Sequence, residues 1–316
     1  MKKTIVLALI AYIGTACTPQ STSIASQMAP TLEATATDVI ETSTPTPLSP
    51  THEIPIATPA PSVRISPADG MTQLYVPAGS LHMGGLDVFS ENDEKPVHVV
   101  QLDAFWIDQV EVTNGMYSLC VQAGICDRPM KVNSDNRQKY FGNAEFRDYP
   151  VVYVTWLDAK TYCEWAGRRL PTEAEWERAA RGDDTRTYPW GGEPPNALLA
   201  NADNDLGDTS RVGSYAAGVS PFGALDMAGN VWEWVADYYD QAYYANSPDP
   251  NPTGPADEPR KYERVIRGGS YQDGVLDLRL SNRGYELGPD PAAAPGTAAY
   301  VGHSSVRIGF RCAADN

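Results

Sequence analysis

The chain has 316 residues, 42% hydrophobic and 20% charged, an ordinary soluble composition for one large domain or two small ones. Acidic residues number 40 against 24 basic ones, a formal net charge of −16. That balance excludes nucleic acid, which needs a basic footprint, and suits a cation or a cation-rich partner surface.

Residues 1–17 read MKKTIVLALIAYIGTAC. Lys2 and Lys3 form a positive start, and Ile5 to Ile13 form an apolar run too short to span a membrane. The small residues before Cys17 resemble a bacterial lipobox, with Gly14 where a larger aliphatic residue is usual. The expectation is an export signal cleaved before a lipidated Cys17, which anchors the protein to a bacterial membrane outside the cytoplasm. Cleavage after Ala16 with free secretion is the alternative. Residues 18–64 are rich in Thr, Ser, Pro and Ala, without helical or strand period. Such a segment buries too little surface to offset its ordering entropy and reads as a disordered stalk. A folded domain is expected over 65–316.

From Ile65 onward, YVPAGSLHMGG, VHVVQLDAFWIDQVEVT and YPVVYVTW alternate apolar and polar residues, as half-buried strands do. Thr113 and Thr155 are placed to cap short helices. Thr172 and Glu175 form a capping box opening a helix that Gly182 terminates. Residues 183–316 are rich in Gly, Asn, Asp and Pro, which predicts loops and short strands. The fold class is therefore α+β, irregular over its second half. Once Cys17 is set aside, an even set of cysteines remains, which an oxidising compartment would pair. Cys120 and Cys126 are close enough to close a local loop, leaving Cys163 with Cys312.

Two stretches carry oxygen donors. ALDMAGNVWEWVADYYD places Glu233 between Trp232 and Trp234, with Asp226 upstream. A carboxylate among indoles is costly to bury unless paired or bound to a metal. ANADNDLGDTS offers Asn201, Asn204, Asp205 and Asp208. The spacing is not that of an EF-hand, and a solvated Asx-turn cluster is the plain alternative.

In order along the chain, EKPVHVVQLDAFWIDQVEVTN, RRLPTEAEWERAARG, YPWGG, ALDMAGNVWEW, RVIRGGSY and IGFRCA together resemble the formylglycine-generating enzyme family, also called the sulfatase-modifying factor domain. The resemblance covers about residues 70–316 and implies a C-type-lectin-like α+β fold. It implies one calcium held by Asn201, the carbonyl of Ala202, Asn204 and the carbonyl of Leu206. A second would take Asp226, the carbonyls of Gly229 and Val231, and Glu233. It also implies the Cys163–Cys312 disulfide.

The family's oxidase uses a cysteine pair just after Gly-Gly-Ser to bind copper(I), a soft ion that favours thiolates. Here Asp273 and Val275 fall near those places, and no cysteine lies between Cys163 and Cys312. Copper is therefore not expected. The four histidines form no His-x-x-x-His pattern, which argues against an iron site like that of related sulfoxide synthases. Ser270 has no paired base, so hydrolase logic fails. The reading is a binding module for a peptide, glycan or protein outside the cell. Its candidate face is Ser270, Tyr271, Gln272, Asp273, Arg279, Asn282, Arg283 and Tyr285. Arg279 and Arg283 would hold a carboxylate or pair with local acids such as Asp277 and Glu286. The alternative is a formylglycine-generating oxidase or another enzyme with rearranged chemistry.

Overall fold

The computed structural model describes residues 62–256 and 262–316. The export signal, Cys17 and the stalk as far as residue 61 lie outside the described residues. Composition assigns Val63 and Arg64 to the stalk. Instead they begin an edge strand, β1 (Val63–Ile65), whose residues face Leu74, Gln73 and Thr72 of β2 (Thr72–Val76). Besides the backbone bonds, Arg64 holds this edge, its Nε donating to Gln73 Oε1 at 2.8 Å and its guanidinium lying over the Trp106 ring, so no apolar alternation marks the strand.

The first sheet is antiparallel and runs β1-β2-β5-β10, with β5 at Phe105–Asp108 and β10 at Ala313–Asp315. Strands β3 (Gly79–Met83) and β4 (His98–Leu102) pair with each other. The third sheet, β8-β7-β6-β9, comprises Gly284–Leu287, Glu263–Arg267, Trp232–Tyr238 and Ile308–Phe310. In it β6 and β9 run parallel, which joins the Trp-Glu-Trp stretch to the Gly-Phe-Arg-Cys stretch. The segment YPVVYVTW, which alternates like a strand, is not one. Tyr153 takes φ 59°, and the Val151, Tyr153 and Thr155 amides donate to the Val112 carbonyl, the Ser305 carbonyl and the Asp158 carboxylate rather than to one partner strand.

Helix α1 (Asn114–Gln122) starts at Thr113, whose hydroxyl accepts from the Met116 amide. Helices α2 (Trp156–Trp165) and α3 (Glu173–Arg181) each start with a complete capping box, Thr155 with Asp158 and Thr172 with Glu175. The short α4 spans Ala298–Val301. No described helix is long and apolar enough to cross a membrane.

Helix α3 is buried at every position although its sequence, EAEWERAAR, is mostly charged. Arginines from the 267–283 region satisfy it. Arg283 forks onto both oxygens of Glu173 at 2.7 and 2.9 Å, and Arg267 reaches Glu177 at 2.6 Å. Disulfides join Cys120 to Cys126 and Cys163 to Cys312, the second tying α2 to the segment between β9 and β10.

Candidate functional site

Three loops converge at the end of the third sheet. The loop after Ala200 meets the Asp226–Val231 turn where the Asn230 amide donates to the Asn201 carbonyl, 2.9 Å. Gly229, at φ +85°, is required there, because a Cβ would stand 2.4 Å from that carbonyl oxygen. The Gly268–Asp273 loop closes the set. Asp203 and Asn204 amides donate to the Asp273 and Tyr271 carbonyls at 2.9 and 2.7 Å, and the Tyr271 amide donates to Asn230 at 2.9 Å.

Oxygen atoms are left over beneath this junction. Asn201 is 1% exposed; its Nδ2 donates to the Asp208 carbonyl and Asn230 Oδ1, but its Oδ1 has no partner among the described residues. Asn204 sits in the left-handed region at φ 59°, and Leu206 is exposed. The Ala202 carbonyl accepts from the Asp205 amide at 3.1 Å and keeps a second lone pair.

On the other side of Asn230 lie three carboxylates, Glu111, Asp226 and Glu233. Glu233 is taken: Arg311 forks onto both its oxygens at 2.7 Å, and Trp176 Nε1 donates to it at 2.8 Å. Its placement among indoles is thus answered by an ion pair. Asp226 accepts from the Gly213 amide at 2.6 Å. Glu111 accepts from Asn230 Nδ2 with one oxygen, its buried Oε2 meets no amide or hydroxyl donor, and its carboxyl is in hydrogen-bond reach of Asp226. Burial, then the charges of Asp226 and Glu233, holds the Glu111 carboxyl well above the usual range, and burial raises Asp226 as well. One arginine faces three acids here. That surplus, with the orphan oxygen of Asn201 and the Glu111 Oε2 that lacks such a donor, fits an oxygen-ligated divalent cation. Among the described residues no three His, Cys, Asp or Glu side chains converge at ligand range, so such an ion would need the amide and carbonyl oxygens too.

The structure divides the candidate face. Arg279 and Arg283 are buried, and their partners are not Asp277 and Glu286. Arg279 forks onto Glu94 at 2.7 Å, and Arg283 onto Glu173. Both acids lie more than a hundred residues away in the chain, which local charge pairing does not reveal. Ser270 and Tyr271 are also fully buried. Tyr271 Oη donates to Asp135, and Gln272 Nε2 reaches the same carboxylate at 2.7 Å. Asp273 accepts from Trp232 Nε1 at 2.8 Å and from the Ser270 amide and hydroxyl, with Arg307 at 3.5 Å. Asn282 Nδ2 donates to the Asp277 carbonyl. Tyr285 lies apart from this group, stacked on Tyr239 at 4.3 Å. What solvent reaches is Gln272, the rims of Asp273 and Asn282, Val275, Leu276, Asp277 and Tyr285. Asp135 and Glu111 were not legible in advance: each is a lone acid in a stretch that matches no donor motif.

All four cysteines among the described residues are joined in the two disulfides. His82, His98 and His303 belong to separate places. His82 lies on β3, His98 packs edge-on against Tyr244, and His303 pairs with Glu286 at 3.0 Å.

An irregular α+β scaffold with an oxygen-lined loop junction, and the Gly-Gly-Ser loop laid across it, defines a formylglycine-generating-enzyme type of fold. Residues 60–316 match the model of the sulfatase-modifying factor enzyme 1-like domain, and the chain belongs to that family. It is 33% identical to the formylglycine-generating enzyme of Streptomyces coelicolor, over 82% of this chain and 93% of that protein. It is 33% identical to hercynine oxygenase of Mycolicibacterium smegmatis, spanning 72% of this chain but only 60% of that protein. The solved structure of PvdO from Pseudomonas aeruginosa superposes with a TM-score of 0.65 at 28% identity, covering 82% of this chain and all of that one.

Proposed function

We propose that this chain is a calcium-stabilised, membrane-anchored family member that binds a peptide, glycan or protein outside the cell and does not perform copper-dependent oxidation. The observation that carries this is Asp273. It stands in the Gly-Gly-Ser-Tyr loop where the resemblance expects sulfur, and it is held there by an indole, an amide and a hydroxyl. A carboxylate fixed by three donors is a poor ligand for copper(I), and the four described cysteines are already bonded to one another. The reachable part of the loop, Gln272 to Asp277, then offers a contact surface on a rigid base.

Asn201, Ala202, Asn204 and Leu206 would hold one calcium. Asp226, Gly229 and Val231, with Glu111 in place of the arginine-bound Glu233, would hold a second. Bound calcium would neutralise the surplus carboxylate charge and fix three loops to one another.

The similarity to a formylglycine-generating enzyme favours one second reading, an oxidase or oxygenase with rearranged chemistry. Incubation with copper(I) and a Cys-x-Pro-x-Arg peptide separates the two by mass. Aldehyde product rejects the binding-only reading. Saturable binding without product, weakened by Gln272→Ala or Asp273→Ala, supports it.

A further inference from the structure

Eight of the sixteen described arginines of this acidic chain are buried. Arg168, Arg267, Arg279, Arg283 and Arg311 are buried and ion-paired. The segment that begins at the end of the Cys120–Cys126 loop differs. Arg128, Lys131 and Lys139 are exposed, and none forms an ion pair with a described residue. Arg128 and Lys131 lie instead near ring faces, 5.7 Å from the Phe141 centroid and 4.9 Å from that of Tyr153. Over residues 125–147 five basic residues stand against three acidic ones, in a chain of net charge −16.

The same segment exposes large apolar side chains. Ile125 is 57% exposed, Met130 62% and Val132 40%. Arg128, Val132 and Lys139 border one shallow concavity with Phe141, so cations and an apolar side chain face the same space. Cations beside apolar tips on an irregular loop match the interface of an anionic bilayer. There the ammonium and guanidinium groups meet headgroup phosphates while the tips enter the acyl boundary.

We propose that residues 125–139 form the contact by which this domain lies on an anionic lipid surface. The argument is charge complementarity joined to exposed apolar area. The net negative charge of the chain does not prevent it, because screening at physiological salt confines each charge to about 8 Å. The contact goes beyond the anchor proposed above. It rests on that reading only in expecting a membrane nearby, and it requires neither acylation nor calcium.

The test uses the full chain carrying Cys17→Ser, so that no acyl group contributes, sedimented with vesicles. Vesicles of phosphatidylglycerol and phosphatidylcholine in equal parts should retain the protein, and pure phosphatidylcholine should not. Each cation near such a surface is worth about fivefold in partitioning, so Arg128→Glu with Lys139→Glu should weaken retention by at least about tenfold. High salt should do the same. Met130→Ser should give a smaller loss. Lys160→Glu, whose lysine pairs with Glu164 on α2, should change nothing. These side chains are exposed, and unchanged melting curves confirm that the variants are folded. Equal retention on neutral vesicles, or indifference to the double substitution, overturns the proposal. So does adsorption to polyglutamate without adsorption to vesicles, which would assign the patch to an acidic protein partner. Failure of acylation at Cys17 would leave this result untouched and count only against the anchor.

Discussion

Two buried clusters of charge lie on either side of Trp176, and they are built differently. On one side Glu173 and Glu177 meet Arg267, Arg283 and Arg181, so every carboxylate has a guanidinium. The Arg267 guanidinium also lies 5.3 Å from the Trp176 ring. On the other side Trp176 Nε1 donates to Glu233, and Glu111, Asp226 and Glu233 share Arg311 alone. The first cluster balances its charges within the polypeptide, although the Nε atoms of Arg181 and Arg267 have no hydrogen-bond partner among the described residues. The second has oxygens and negative charge to spare, at the place where three loops join. Burial alone therefore does not separate scaffold from site; the balance of charge does.

Breaking the balanced cluster should have the largest effect. Arg267→Met leaves Glu173 and Glu177 short of a partner in a dry core and should cost about 3–5 kcal/mol, measured by denaturant unfolding. An equal loss on substituting a surface arginine such as Arg211 would remove the distinction.

Asp237 sharpens the boundary of that cluster. Burial, then the neighbouring Glu173 charge, pushes its carboxyl up to about 8. The folded state thus holds a proton that the unfolded state releases near pH 4. Stability from this group falls as pH rises between about 4 and 8, by up to about 1.4 kcal/mol per pH unit. Asp237→Asn should flatten that slope in pH-dependent melting. An unchanged slope would mean that Asp237 is charged in the core.

The surplus cluster should respond to calcium. At a hundredfold excess over its dissociation constant, a bound ion adds about 2.7 kcal/mol, so EDTA should lower Tm by several degrees. Glu111→Gln should raise stability in EDTA by removing a burdened carboxylate, and reduce the gain from calcium. Indifference to both would leave the raised carboxyls of Glu111 and Asp226 to share protons instead. The smallest effect is expected at Asp273. Asp273→Ala orphans the Trp232 indole and should cost on the order of 1 kcal/mol in melting.

Local chemistry made much of the fold legible. Thr113, Thr155 and Thr172 announce three helices because a cap is read within four residues. The cysteine count was equally informative. The partners of Arg279 and Arg283 were not legible, because Glu94 and Glu173 are brought to them only by the packing of whole sheets. For the same reason the burial of the charged helix α3 becomes clear only once its distant arginines are placed. The donor loop around Asn201 could be proposed from composition, but its orphan oxygen appears only once Asn230 has claimed the amide nitrogen.

The bridge between Cys163 and Cys312 spans 149 positions and encircles nearly everything that shapes the junction. A protease that severs the exposed stretch between β8 and α4 would therefore release nothing. Both pieces would stay joined by the disulfide, so the domain could be nicked without losing its last strands.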